Sequence, residues 1–137
     1  MQKDIVLNPV MWKPSDKKIK SSQIFKFIRE INDKYNLDLI SFTDLHSWSV
    51  NNKSVFWSSI WDFFNIIGSK GNAPYIDPEN QMPGSKFFPN GIVNYAENML
   101  SGDVSGAAIV FKSEDKIRRE VSWKDLKAQV TTLANYL

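Results

Sequence analysis

The chain has no cysteine. That single absence removes disulfides, thiolate nucleophiles and Cys-ligated metals together. There is one histidine, His46, so an imidazole-based zinc site would have to be completed by carboxylates, and none stands at ligand spacing. Beside Trp48, His46 reads as a packing or hydrogen-bonding residue. Long apolar runs are missing too. No segment approaches the ~20 residues that span a bilayer as a helix, and the N-terminus lacks the apolar core of a signal peptide. Nor is there an excess of one charge: 17 Lys and Arg against 15 Asp and Glu leave a net charge of +2. Nothing in that balance demands nucleic acid or an anionic membrane. The expectation is a cytoplasmic polypeptide with neither as a partner.

Recognisable chemical motifs are equally scarce. Neither a Gly-x4-Gly-Lys-Ser/Thr phosphate loop nor a Gly-x-Gly-x-x-Gly turn occurs. No serine sits in the Gly-flanked turn of a nucleophile elbow. The carboxylate pairs Asp77/Glu79 and Glu114-Asp115 fall in predicted turns and read as solvated. Arg118-Arg119 lies in a predicted strand, where alternation sends neighbours to opposite faces and weakens a bidentate phosphate clamp. Lys17-Lys18 and Lys20, just before a helix, read as solvated surface. No catalytic, cofactor-binding or metal-binding residue can be named.

What the chain does have is rings. Aromatics make up 13%, with five Trp and nine Phe, and hydrophobic residues make up 42% of 137 residues. This suffices for one domain with a packed core. Residues 1–20 are expected to form an irregular arm in which Ile5, Val6 and Leu7 pack as a short extended segment. Ile24, Ile28, Ile31 and Tyr35 then recur at helical spacing, broadened by Phe25 and Phe27, with Asn36 as the stop. A short helix is predicted over Phe42–Val50, capped by Ser41 or Thr43. A stronger one is predicted over Val55–Ile67, capped by Ser54 and ended by Gly68, with Trp57, Ile60, Trp61, Phe64 and Ile67 facing the core. From Gly68 to Val93 four prolines rule out a long helix or central strand. That stretch is expected to cross a surface as a strap, held by Tyr75, Ile76, Met82, Phe87 and Phe88.

The rest of the chain is organised around residues Gly84 to Leu100. Phe87 and Phe88 anchor, Pro89 fixes φ, and Asn90-Gly91 offers a turn with Gly91 at φ > 0. Asn94 is the candidate N-cap of a short helix, with Glu97 three residues on and Gly102 as its stop. Tyr95, Met99 and Leu100 are expected inward. A hairpin follows: Ala107–Phe111 as a buried run, a turn at Ser113-Glu114-Asp115, and Ile117–Val121 alternating. Ser122 with Asp125 opens the last helix, whose stripe is Leu126, Val130, Leu133 and Leu137.

Several of these pieces, in their order and spacing, resemble one known family. They are Leu45-His46-Ser47-Trp48-Ser49-Val50, Phe56-Trp57, Ile60-Trp61-Asp62-Phe63, Gly84 to Leu100 and Val121-Ser122-Trp123-Lys124-Asp125-Leu126. The set resembles the front end of the acetoacetate–CoA ligases, acyl-CoA synthetases of the adenylate-forming superfamily. It runs from Leu45 to Leu137, and more loosely back to Trp12-Lys13-Pro14. The resemblance implies ATP-dependent activation of acetoacetate to an acyl-adenylate and transfer to coenzyme A, with ATP, Mg and CoA as the parent enzyme's cofactors. The family's phosphate loop, its Tyr-Gly-x-Thr-Glu motif and its late lysine are all absent, which implies an inactive N-terminal fragment.

The fold class implied is α+β. Residues 1–102 would be a mostly helical extension with a Pro-rich strap. Residues 103–137 would be a β-hairpin and helix that begin the large α/β domain and leave it incomplete. Acetoacetate, ATP and CoA would be partners through the missing domains, and the fragment is expected to self-associate. Two alternatives stand beside this reading: another short-chain acyl-CoA (acetyl-CoA) synthetase, and a non-catalytic module that grips a peptide with the aromatic helix at Trp57–Trp61. A buried strand encoded after Leu137 would favour a ligase, and a genuine stop there the module.

Overall fold

A computed structural model describes residues 11–102, 105–114 and 116–137. Ile5, Val6 and Leu7 lie outside them, as does Asp115 of the hairpin turn. The chain divides into two compact units, residues 1–63 with 78–85, and residues 64–77 with 86–137.

The first unit is helical: α1 (Asp16–Lys20), α2 (Gln23–Tyr35), α3 (Phe42–Asn51) and α4 (Lys53–Phe63). Part of the presumed irregular arm is therefore a helical turn, because Ser15 accepts from the Lys18 N–H and caps it. Ile28, Ile31 and Tyr35 of the α2 stripe meet the core as their spacing requires, whereas Ile24 at its start is 44% exposed. Phe27, Ile28 and Ile31 are buried with Leu45, and Tyr35, Trp48, Phe56, Ile60 and Phe63 pack around them. Asn36 ends α2 in the left-handed region at φ 53°. The loop that follows is pinned by Asn32, whose Nδ2 donates to the Leu39 carbonyl (2.9 Å) while its Oδ1 accepts from the Leu39 N–H (3.0 Å).

Ser41, not Thr43, caps α3, and Asp44 returns the bond in a capping box. The Asp44 carboxylate accepts from the Ser41 hydroxyl and from the Ile40 and Ser41 backbone N–H groups. The Ser41 hydroxyl first, then these amides, hold its pKa below the ordinary aspartate value. In the window between that lowered value and the unfolded-chain value of ~3.9, the unfolded state binds more protons, so stability rises with pH. The contribution is complete above ~3.9 and is lost as pH falls through the native pKa. An acid titration followed by NMR should show the α3 N-terminus losing amide protection in that window in wild type. Asp44→Asn should shift this local transition. An unchanged transition would mean that Asp44 does not govern it.

The fourth helix departs from expectation. It begins at Lys53, so Ser54 lies inside it, and it ends at Phe63, since Asn65 takes φ 50° well before Gly68. Its inward face is turned by about one residue. Trp57 and Phe64 are 39% and 57% exposed, whereas Ser58 and Ser59 are buried. Both faces carry rings, so hydrophobicity alone could not choose between them. The small serines let the backbone approach its neighbours, and the Ser59 hydroxyl lies 3.0 Å from the Tyr35 hydroxyl. The orphan Ser54 N–H at the start of α4 donates to Glu79 Oε1 (3.3 Å), and Lys53 Nζ to Asn80 Oδ1 (3.0 Å). Glu79, read as a solvated turn residue, is therefore an end-cap supplied from the strap.

The second unit contains β1 (Gly68–Ser69), β2 (Ile76–Asp77), β3 (Lys86–Phe87), β4 (Ile92–Val93), α5 (Tyr95–Leu100), β5 (Ala107–Lys112), β6 (Arg118–Ser122) and α6 (Trp123–Tyr136). The strap doubles back on itself. β1 pairs with β4 and β2 with β3, both antiparallel. Ile76 is buried, but Met82 is 98% exposed and cannot hold the strap. The turn works differently from the expected one: Phe88, not Gly91, sits at positive φ (48°), and the Gly91 N–H donates to the Phe88 carbonyl at 2.8 Å. Glycine is required at 91 by space, since a Cβ there would stand 2.9 Å from Phe88 Cβ. At Gly68 both reasons apply: φ is 147°, and a Cβ would meet the Ile92 carbonyl oxygen at 2.4 Å.

Asn94 caps α5, accepting from the Glu97 N–H at 3.2 Å. Asn98 clamps the backbone of Ile67 through both ends of its amide, each bond 2.8 Å. Tyr95 and Met99 point outward, at 77% and 51% exposed, and the C-cap is Ser101 in the right-handed region, which puts Gly102 at the expected position just past the helix end. The hairpin pairs β5 with β6, with an irregularity at Ala107/Ile109. Ile109, Val110 and Phe111 are about half exposed, not buried, because this two-stranded sheet has little on its faces within the unit.

Candidate functional site

No catalytic cluster forms among the described residues. His46 is exposed on α3, with its ring 6.2 Å from that of Phe42 one turn earlier. No three His, Asp or Glu side chains among the described residues are placed to hold a metal. Asp62 is paired with Lys34 at 3.1 Å, and Arg118 with Glu120 at 2.7 Å on the same side of β6. The latter pair commits Arg118 to a neighbour and leaves the Arg118-Arg119 dipeptide without the geometry of a phosphate clamp.

What the second unit presents instead is a surface. α6 starts on a firm cap: the Asp125 N–H donates to Ser122 Oγ at 3.1 Å, and the Ser122 hydroxyl to Asp125 Oδ2 at 2.6 Å. Lys127 Nζ bonds the Gly102 carbonyl at 3.1 Å, and the Trp123 N–H bonds the Gly106 carbonyl at 3.3 Å. These bonds fix the helix start, and beyond them its apolar side lies open. Leu126 is half-buried, Val130 is 38% exposed, Leu133 59% and Leu137 96%. A shallow concavity of about 660 Å³ runs along the helix, lined by Ala128, Thr132, Leu133 and Tyr136 among others. Beside it the strand residues Ile109, Val110 and Phe111 add further exposed apolar area. A helix stripe and a strand edge open in one unit are what a chain offers to a further layer of structure.

No family model matches the chain. The acetoacetyl-coenzyme A synthetase of Rhizobium meliloti is 30% identical over 127 residues, which cover 93% of this chain and 19% of that protein. The solved acetoacetyl-CoA synthetase from Streptomyces lividans matches with a TM-score of 0.78 at 25% identity, over 92% of this chain and 20% of that one. This chain is related to the acetoacetyl-CoA synthetases. It spans about a fifth of the length of these relatives. A malonamoyl-CoA synthetase of Penicillium aethiopicum is also 30% identical, over 88% of this chain and 17% of that protein.

The acetoacetyl-CoA synthetase likeness takes in the mixed helix-and-strand architecture, with its small antiparallel pairs. The contact that sequence reasoning missed is that of Glu79, whose long-range bond to Ser54 no local pattern announces. No helix among the described residues is long and apolar enough to cross a membrane.

Proposed function

We propose that these 137 residues are the front part of an acetoacetate–CoA ligase, a protein that converts ATP, acetoacetate and CoA to acetoacetyl-CoA, AMP and diphosphate through an acyl-adenylate. The observation that carries the reading is the match along 93% of this chain to a fifth of the Rhizobium meliloti acetoacetyl-coenzyme A synthetase. In this reading residues 1–102 are a helical extension, and residues 103–137 begin the large adenylate-forming domain. Mg and ATP would be held elsewhere in the parent polypeptide, since no phosphate loop occurs in this stretch. The open face of α6 and the β5 edge would receive the next layer of that domain. Without that layer, the same face would bring two copies of the chain together.

Adenylation is driven by donors and cations fixed where phosphoryl charge develops. The 137-residue protein should therefore give only background acetoacetate-dependent ATP–pyrophosphate exchange. A polypeptide carrying these residues at the full length of the relatives should exchange readily. Exchange by the 137-residue chain would refute the fragment reading, and none by the long form would refute the ligase reading.

The choice of acid has a second candidate. The similarity to a malonamoyl-CoA synthetase favours an acyl-CoA synthetase whose substrate is set outside this segment. Exchange assays of the long form with acetoacetate and other short acids would separate the two readings.

A further inference from the structure

The loop of residues 78–85 joins β2 to β3, and it groups with the helices of the first unit. Its base is pinned. Ile76 pairs with Phe87 and Asp77 with Lys86, and the Phe88 N–H donates to the Tyr75 carbonyl at 2.7 Å. Residues 78–84 are all exposed, with Met82 at 98%, so no buried apolar side chain holds the loop down. We propose that this loop is a two-point latch on the start of α4, which detaches and re-docks as one rigid body and so sets the order of that helix's first turn. The proposal is independent of the ligase reading.

The latch is reciprocal, each side lending one side chain to the other. Glu79 Oε1 accepts from the Ser54 N–H at 3.3 Å, while Lys53 Nζ donates to the Glu79 carbonyl at 3.4 Å and to Asn80 Oδ1 at 3.0 Å. All three bonds are exposed. Such contacts are individually weak, because water offers the same groups partners once they part. The ties inside the loop are shorter. The Ser85 hydroxyl reaches the Pro78 carbonyl at 2.7 Å and the Gln81 carbonyl at 2.5 Å, sharing its one proton between them. With its ends tied to its middle and its base held by the β2–β3 pair, the loop parts from α4 before it comes apart itself.

The position of Glu79 in the chain separates this contact from the other helix caps. Ser15, Ser22, Ser41, Asn94 and Ser122 each cap the helix that they immediately precede, so none of them can leave without unwinding its own helix. Glu79 lies 25 residues beyond Ser54 and can depart with the helix intact. What its departure changes is the first turn of α4, whose N–H groups have no partner within the helix. The later part of α4 stays in place, because Ser58 and Ser59 are buried. Opening is thus confined to the loop and one helical turn, a local event well below the cost of global unfolding.

The test is NMR relaxation dispersion and amide exchange on the whole 137-residue protein. Ser54, Gln81, Met82 and Gly84 should share one opening rate, with the amides of Ile76 and Phe87 at the base unaffected. Glu79→Ala should raise the open population by roughly two- to tenfold, the weight of one hydrogen bond, and Lys53→Met should do the same. The double variant should leave the loop open, with near-UV circular dichroism unchanged because every altered side chain lies outside the core. Glu79→Gln, which keeps an oxygen acceptor, should restore most of the docking. A loop and Ser54 amide without exchange in wild type and variants alike would overturn the proposal. So would different rates at Ser54 and the loop tip, or a Glu79→Ala effect confined to Ser54, since that is the behaviour of a fixed cap.

Discussion

Replacing Phe27 with alanine is expected to destabilise the first unit by about 3–5 kcal/mol, the range for removing a buried aromatic ring. Phe27 is 4% exposed and meets two other rings edge-on: Phe56 at 5.9 Å and Phe63 at 5.1 Å. Truncation removes the ring and its edge-on contacts with both neighbours, in a region that already holds the buried Ile28, Ile31 and Leu45. Against a typical domain stability of about 5–15 kcal/mol, the loss is enough to populate the unfolded form. Urea unfolding followed by tryptophan fluorescence measures it, because Trp48 lies against this cluster. The control is Phe64→Ala, at a position 57% exposed, where a change near 1 kcal/mol or less is expected. Equal midpoints for the two variants would show that the core does not lie where these contacts put it.

The second large effect concerns association. Leu133 and Leu137 stand largely in water at the end of α6, at 59% and 96% exposed, and Val130 is 38% exposed. Fully burying one such side chain contributes roughly 1.5–3 kcal/mol, an upper range given a compact denatured state. A second copy meeting this face across a two-fold axis would bury both stripes at once. Light scattering should therefore find a concentration-dependent mass above that of the monomer. The double variant Leu133→Glu, Leu137→Glu should return the protein to monomer without loss of helix, because these side chains are 59% and 96% exposed. A strictly monomeric wild type at high concentration would rule the association out. So would an unchanged dimer in the double variant.

The elements legible in the sequence are those governed by neighbours a few residues apart. The Ile28 and Ile31 core positions of α2, Asn36 as its stop, and the caps at Asn94 and Ser122 all depend on local geometry and needed no knowledge of the fold. Readings failed where two local solutions were close in energy. α4 carries rings all round, so its inward face was settled by the close approach that Ser58 and Ser59 permit. At the Phe88–Gly91 turn either residue position could have supplied the unusual φ. The backbone put it on Phe88, whose carbonyl then accepts from Gly91.

By itself, then, the sequence determined the helical front half, the punctuation of the strap by prolines, the cap residues and the lack of any thiol or phosphate-loop motif in this stretch. It also held the ordered aromatic pieces whose wording resembles the acetoacetate–CoA ligases. Tertiary structure decided which side chains those elements spend. Glu79 became the cap of a helix 25 residues away, and Asn98 the clamp on Ile67 31 residues away. It also left the strand run at Ile109–Phe111 in water. The physical reason is range. Propensity, capping and turn chemistry act over about four residues, whereas burial and long-range hydrogen bonds depend on what the rest of the chain brings alongside.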